Sequence, residues 1–340
     1  QRLAAEMKGK RLPCVDRVEI SIIEESQPRW LAFLAGELDW INLPYEFKSM
    51  ALPGGVLAPW LARKGVRHMP SIDQDLTYLY WNMKDPVWGG IEPHQVALRR
   101  AIHLAYDVGA EIDLVRNGSA VEARTALPPG VLGHDPHFHT GPAYDPARAK
   151  ALLDTYGYVD RDGDGWRDRP DGGPLVFEYA TDPSQLSRLF TELWQKNLTA
   201  IGVRMKVEVA KWPDLRKKSK NGQLQSWHLA WNADWPDGEN FYQLLYGPHC
   251  GSSNDGCFQN AAFDRLYEKA ASVPPGPERA ATYREMARLT AALAPWKTFV
   301  HRKRDQMVQP WILGWRKHQF LHDAYRYVDI DLAVRAKALP

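Results

Sequence analysis

The sequence predicts an α/β protein of two domains, and three observations lead there. Between Leu175 and Trp231, runs of β-branched and aromatic residues alternate with stretches of helical periodicity. The chain has 340 residues, against about 100–200 for an ordinary domain. Its 44% apolar and 25% charged residues match a globular protein with a sizeable core.

The elements follow in order. The opening, Gln1–Lys10, reads as charged and helical. Val18–Ile23 is apolar and β-branched and predicts a strand. Pro28 starts a helix through Leu34, and Gly36 stops it. Leu38–Leu43 predicts a second strand, which completes a βαβ-type unit that begins as though earlier strands of its sheet lay upstream. Leu76–Met83 (LTYLYWNM) is the most strand-like run in the chain. A turn at Asp85, Pro86, Gly89 and Gly90 leads into a helix from Pro93 to Tyr106, with apolar spacing Val96, Leu98, Ala101, Ile102, Ala105. A second helix is predicted over Glu111–Val115, then a long loop with Pro128, Pro129 and Gly130.

Asp145 caps a helix whose first position is Pro146 and whose end lies near Gly157. Strand Leu175–Thr181, helix Ser184–Ile201, strand Val203–Val209, helix Pro213–Lys220 and strand Trp227–Trp231 make up the alternating region. Helices near 239–246, 261–272 and 277–293 come next, and strands return at Trp296–His301 and Ala324–Ile330.

Several function classes fall away. A net charge of +2 does not describe a nucleic-acid binder. The cluster Arg216, Lys217, Lys218, Lys220 is short and reads as a solvated helix face. No apolar run approaches the roughly 18 residues that span a bilayer. There is no G-x-S-x-G, Walker loop, H-E-x-x-H or G-x-G-x-x-G. Among enzymes a glycoside hydrolase is the strongest alternative, given the tryptophans and carboxylates. Asp234 and Glu239 would be its pair, though nothing in the sequence singles them out.

Three cysteines are present. Cys250 and Cys257 flank a loop rich in Gly, Ser and Asn and either close a small disulfide, in an oxidising compartment, or stand as free surface thiols. Cys14 is left over.

Residues 160–171 read DRDGDGWRDRPD. Asp160, Asp162 and Asp164 take positions 1, 3 and 5 of a calcium loop, Gly165 the turn, Trp166 a carbonyl ligand at 7, and Asp168 position 9. Position 12 is Asp171, not Glu, and a strand follows where an EF-hand has a helix. Bound calcium would be structural; the alternative is a surface turn. His134, His137 and His139 lie together without a further ligand group and read as surface histidines.

Pieces in fixed order along the chain resemble the extracellular solute-binding proteins of family 5, the peptide/nickel/oligosaccharide type. They are Arg29–Asp39 (RWLAFLAGELD), Leu79–Asn82, Val96–Asp107 (VALRRAIHLAYD), Leu127–Gly130 (LPPG), Tyr144–Leu153 (YDPARAKALL), Leu198–Val203 (LTAIGV), Trp231–Phe241 and Tyr325–Asp329. The resemblance implies a two-lobed, periplasmic-binding-protein-like fold (type II, large peptide-binding cluster), with the first part of lobe one lying upstream of this chain. Residues 1–78 and 297–340 would belong to lobe one and 79–296 to lobe two. The chain would cross near 77–82 and 296–302, and the lobes would close on a ligand by a hinge.

The resemblance further implies a receptor rather than an enzyme, needing no cofactor. It is expected to be a monomer that hands its ligand, a short peptide, to an ABC importer permease. An exported, periplasmic location is expected, with a signal or lipid anchor upstream. In peptide-binding members an acid at the position of Asp234 holds the ligand's α-ammonium, for which a buried partner is needed. Trp231, Trp235 and Tyr242 are candidate aromatic walls, and Tyr80, Trp81 and Asn82 candidates for main-chain contacts to an extended peptide. An oligosaccharide, a nickel chelate or haem is the alternative ligand. Haem or nickel would require histidines directed into the cleft.

Overall fold

The structure is a computed structural model and describes residues 5, 7–320 and 324–338. Of the helix expected at Gln1–Lys10, residues 1–4 and 6 lie outside the described residues. The chain divides into two compact units. Unit one holds 1–73, 116–119 and 303–340; unit two holds 74–115 and 120–302. The boundaries expected after residues 78 and 296 fall inside unit two, because strand 75–81 and strand 296–298 pair with each other there. The return of 116–119 to unit one was not foreseen.

In unit one, strand β1 (Trp40–Asn42) and strand β2 (Arg67–Ile72) are its first two strands. Both pair antiparallel with one later strand, through Ile41↔Met307 and Met69↔Gln306. Helix Ser26–Leu34 turns Trp30 and Phe33 inward, and Trp30 stacks on Phe33 and Phe47 with centroids 5.9 and 5.7 Å apart. Leu61, Val66 and Met307 complete this core.

The strand expected at Val18–Ile23 is absent. No described strand pairs with this segment, and an unpaired strand leaves its main-chain donors and acceptors to water. Ile20 and Ile22 are accordingly 74% and 87% exposed.

Unit two contains β3 (Asp75–Trp81), β4 (Ala120–Glu122), β5 (Val176–Thr181), β6 (Arg204–Val209), β7 (Ser226–Asn232) and β8 (Trp296–Thr298). Five of these form one sheet in the order β6-β5-β7-β3-β8. β5 runs parallel to β6 and β7, while β3 is antiparallel to β7 and β8. Every residue of β3 is buried, as suits a strand with neighbours on both edges, and only Asp75 and Thr77 interrupt its apolar and aromatic run. The following strand, β9 (Val300–Val308), pairs with β4 at 300–302 and supplies the partner of β1 and β2 from 303 on.

Helix Gln185–Ala200 shows how the sheet is covered. Ser184 caps it, its hydroxyl accepting from Ser187 N at 3.2 Å. Phe190, Leu193, Trp194, Asn197 and Leu198 recur at helical spacing and are buried. Gly202, at φ 75°, turns the chain into β6 in a conformation that favours glycine. Two expected helices are reduced: 111–115 is a single π-type turn, and 239–246 is one α-turn (Glu239–Tyr242) followed by 3-10 geometry. Among the described residues no helix is long and apolar enough to cross a membrane.

Candidate functional site

In an open sheet with parallel strands, ligand sites form beyond the carboxyl ends of those strands. Here that end is set by Thr181, Val209 and Asn232. Ala180 lies level with Trp227, so residues 229–232 of β7 run on past the end of β5. They are held only from the other side, by β3 through Asp75↔Asn232 and Leu76↔Trp231. The loop 233–238 follows. Ala233 N donates to Gln74 O at 2.7 Å, Gly238 N to Leu132 O at 3.1 Å, and Leu132 N to Pro236 O at 3.0 Å. This loop is therefore pinned at both ends.

Asp234 sits in it, exposed. Asn240, fully buried on the next helical turn, organises the surroundings. Its Oδ1 accepts from Trp231 Nε1 at 2.9 Å and from Asp234 N at 3.2 Å, and its Nδ2 donates to Asp234 Oδ2 at 3.2 Å. Among the described residues no lysine, arginine or histidine pairs with Asp234. Across Asn232, a cation stands at the same strand end. Arg302 Nη2 donates to Asn232 Oδ1 at 3.1 Å, and its guanidinium is ion-paired with the buried Asp75. Asn240, Gln74 and Arg302 were not singled out from the sequence. Asn240 left one trace, an amide beside Phe241 and Tyr242 at the start of a short helix.

The remaining candidates separate. Trp231 is half-buried beside Asn240, and Trp235 is 41% exposed. Tyr242 is 1% exposed, packs on Tyr283 and Phe263, and donates to Tyr283 O at 3.3 Å, so it is a core residue rather than a ligand wall. Trp81 is fully buried and stacks on Trp88 at 5.1 Å, while Tyr80 OH bonds Ser219 Oγ at 2.8 Å.

The main chain of Tyr80 is paired on both edges, with Trp227 and Trp296. Trp81 N donates to Pro295 O and Asn82 N to Gln225 O. No edge remains there for a peptide, which corrects the main-chain role given to Tyr80, Trp81 and Asn82. Glu239, half of the imagined hydrolase pair, is engaged by Tyr267 OH at 3.3 Å and Arg279 at 3.4 Å. Asp237 accepts from Glu239 N at 3.0 Å, in an Asx turn ahead of the helix whose cap position is Gly238, and also from Tyr283 OH.

The aspartate loop gathers only part of its set. Carboxylate oxygens of Asp160, Asp162 and Asp168 lie within 4.8 Å of one another. Asp160 accepts from Gly163 N and Gly165 N, and Asp168 from Arg161 N. Asp164 is ion-paired with Arg204, whose guanidinium also lies over the Trp166 ring, and Asp171 pairs with Arg169 at 3.3 Å. His134 Nδ1 bonds Leu127 O, and His139 meets Arg124. Cys250 and Cys257 form a disulfide, and Cys14 is free.

The model of the middle part of the bacterial extracellular solute-binding proteins, family 5, matches residues 5–253. The chain belongs to this family. It is 27% identical over 333 residues to heme-binding protein A of Haemophilus influenzae, covering 97% of this chain and 57% of that protein. To di/tripeptide-binding protein 2 of Pseudomonas aeruginosa it is 30% identical over 212 residues, covering 60% and 37%.

Two solved structures are also similar. One is the oligopeptide-binding protein AppA of Bacillus subtilis in complex with a nonapeptide (TM-score 0.78, 18% identity, 91% of this chain and 59% of that one). The other is DppA of Helicobacter pylori with the peptide STSA (TM-score 0.77, 21% identity, 91% and 56%). At these identities the likeness shows the fold, the two-lobed α/β class of periplasmic binding proteins. This family 5 chain spans less than two thirds of the length of each of these relatives.

Proposed function

We propose that the protein is the receptor of an ABC importer, working outside the cytoplasmic membrane without catalysing a reaction, and that it captures a short peptide by its free α-ammonium at Asp234. The observation that carries this is a carboxylate at the carboxyl end of β7, with no cationic partner among the described residues and held through the buried Asn240. An ammonium covered by a bound ligand needs a charged, hydrogen-bonded partner. Arg302, at the same strand end, is held by Asn232 and the buried Asp75, so Asp234 is the acid there that remains for a cationic ligand group. The peptide-binding names of several relatives support the same ligand class.

A second reading takes haem, because the relative matched over 97% of this chain is named for it. Nothing around Asp234 calls for it: among the described residues no histidine bonds to Asp234 or Asn240.

The test is a thermal-shift panel of free di- to pentapeptides, their N-acetylated forms and haemin. Ligand at about a thousand times its dissociation constant stabilises by roughly 4 kcal/mol. Free peptides are expected to shift the melt, and both N-acetylation and Asp234→Asn to remove the shift. A shift with haemin alone, or an equal shift with acetylated peptides, refutes the assignment.

A further inference from the structure

Unit two contains a cavity of about 490 Å³, and no residue of the Asp234 loop lines it. Helices Pro93–Ala105, Pro146–Thr155 and Pro277–Leu293, the segment after β4 and strand β8 supply its walls. Its volume lies within the range of about 300–1,000 Å³ typical of small-molecule sites.

The charge of the lining is one-sided. Arg100, Arg124, Arg148 and Lys297 face a single carboxylate, that of Glu122. Among the described residues none of these four cations is within ion-pair distance of an acid. They come from four different elements, so their convergence is a property of the fold and not of one charged helix face.

Lys297 is the decisive member. It is 6% exposed, its ammonium donates to His103 O at 3.1 Å, and it lies over the rings of Tyr106 and Phe299 at 5.7 and 5.6 Å. An ammonium has three donors, and only this one bond is made. Removing such a group from water is unfavourable unless an anion stands beside it. Burial pushes its pKa down to about 8, and the charges of Glu111 and Glu122 act against a further fall. Leu104 and Trp296 supply apolar wall beside the charges.

We propose that this cavity binds a small soluble polyanion, carrying two or more carboxylate or phosphate groups, with Lys297 holding one group and Arg100 and Arg148 another. The site is independent of the ammonium site at Asp234 and selects the opposite charge.

Calorimetric titration of the full protein with citrate and with pyrophosphate tests it, at ionic strength matched with sodium chloride and with acetate as the single-charge control. One polyanion per chain is expected, with acetate at least tenfold weaker. Arg100 and Arg148 are exposed, so the double variant Arg100→Ala/Arg148→Ala should keep the ligand-free melting temperature. It should lose at least tenfold in polyanion affinity while binding peptides as before. Three outcomes overturn the proposal: polyanions that bind no better than chloride at equal ionic strength, a double variant that binds them like the parent, or displacement of citrate by a free peptide.

Discussion

Arg99 is the first arginine of the stretch VALRRAIHLAYD (Val96–Asp107), and its replacement makes a sharp test of how unit two is held. The side chain is fully buried, with no carboxylate partner among the described residues. Its guanidinium instead donates to four main-chain carbonyls: Ala294 O at 2.9 Å, Trp88 O at 2.6 Å, Gly90 O at 2.9 Å and Leu293 O at 2.7 Å. Two of these belong to the end of helix Pro277–Leu293, where carbonyls lack helical partners and the dipole is negative. The other two fix the turn before helix Pro93–Ala105.

Burial lowers the arginine's pKa to about 10, which still leaves it charged at neutral pH. Four charge-assisted bonds at about 1.5–3 kcal/mol each do not add, because removing the guanidinium also removes its desolvation. Methionine leaves buried carbonyls without a donor at about 1–3 kcal/mol each, not fully additive, so Arg99→Met should lose about 3–5 kcal/mol. A lysine has no planar fork and reaches two carbonyls at best, so Arg99→Lys should lose about 3 kcal/mol from two missing bonds. Urea unfolding followed by tryptophan fluorescence reads both, since Trp88 lies at the site and stacks on Trp81. If Arg99→Met stays within about 1 kcal/mol of the parent, less than one such bond is missing, and the four-carbonyl clamp does not hold unit two together.

Four further outcomes are expected. Asn240→Ala should weaken peptide binding about tenfold, roughly the worth of one hydrogen bond. It should add nothing to Asp234→Asn in a double-mutant cycle, and additive losses would separate the two residues. His301 is buried, its Nδ1 donating to Asp75 O, and burial lowers its pKa to about 4. The unfolded chain then binds the extra proton between pH about 6.5 and 4, so stability falls as pH drops through that window by up to about 3 kcal/mol, and His301→Gln should flatten the slope. Reducing Cys250–Cys257, a loop with a separation of 7 residues, should cost about 2 kcal/mol in a chemical-denaturation midpoint, and no change would mean the loop is held by packing alone. Because arginines already hold Asp164 and Asp171, calcium should raise the melting temperature only at about 0.1–1 mM or above. A micromolar response would mean that those arginines give way to the ion.

Unit two was legible where burial writes itself into the residue pattern. β3 is buried on both faces and reads as a run dominated by leucine and aromatic residues, and helix Gln185–Ala200 carries its cap and its apolar stripe in order. β2 was not legible. Its sequence RHMPSI includes a proline, and it becomes a strand through its partner, pairing along its length with β9. β9 itself reads VHRKRDQMV, mostly polar, and was expected only as far as His301. The opposite error, at Val18–Ile23, has the same origin. Strand propensity describes a fit to a pleated surface, and that segment has no described neighbour to supply one.

Residue type alone could not sort the aromatics near Asp234. Tyr80, Trp81 and Tyr242 share composition and neighbourhood with Trp231 and Trp235, yet they fill the core, and only packing tells the two sets apart. What distinguishes the candidate site is the way β7 outruns β5. The overhang places Trp231, Asn232 and the loop at 233 beyond the sheet's end, where main-chain groups have a partner on one side only. Fixing a loop there requires internal bonds, and Asn240 provides them by spending both ends of its amide on Trp231 and Asp234. An exposed acid gains little from a partner that must first order it. An acid already held by a buried amide does not carry that ordering entropy into binding. The same logic applies to Arg302, held in place by Asp75 and Asn232. Under the proposed reading, an acid fixed before any ligand arrives is what lets the end of β7 discriminate a free peptide terminus from a blocked one.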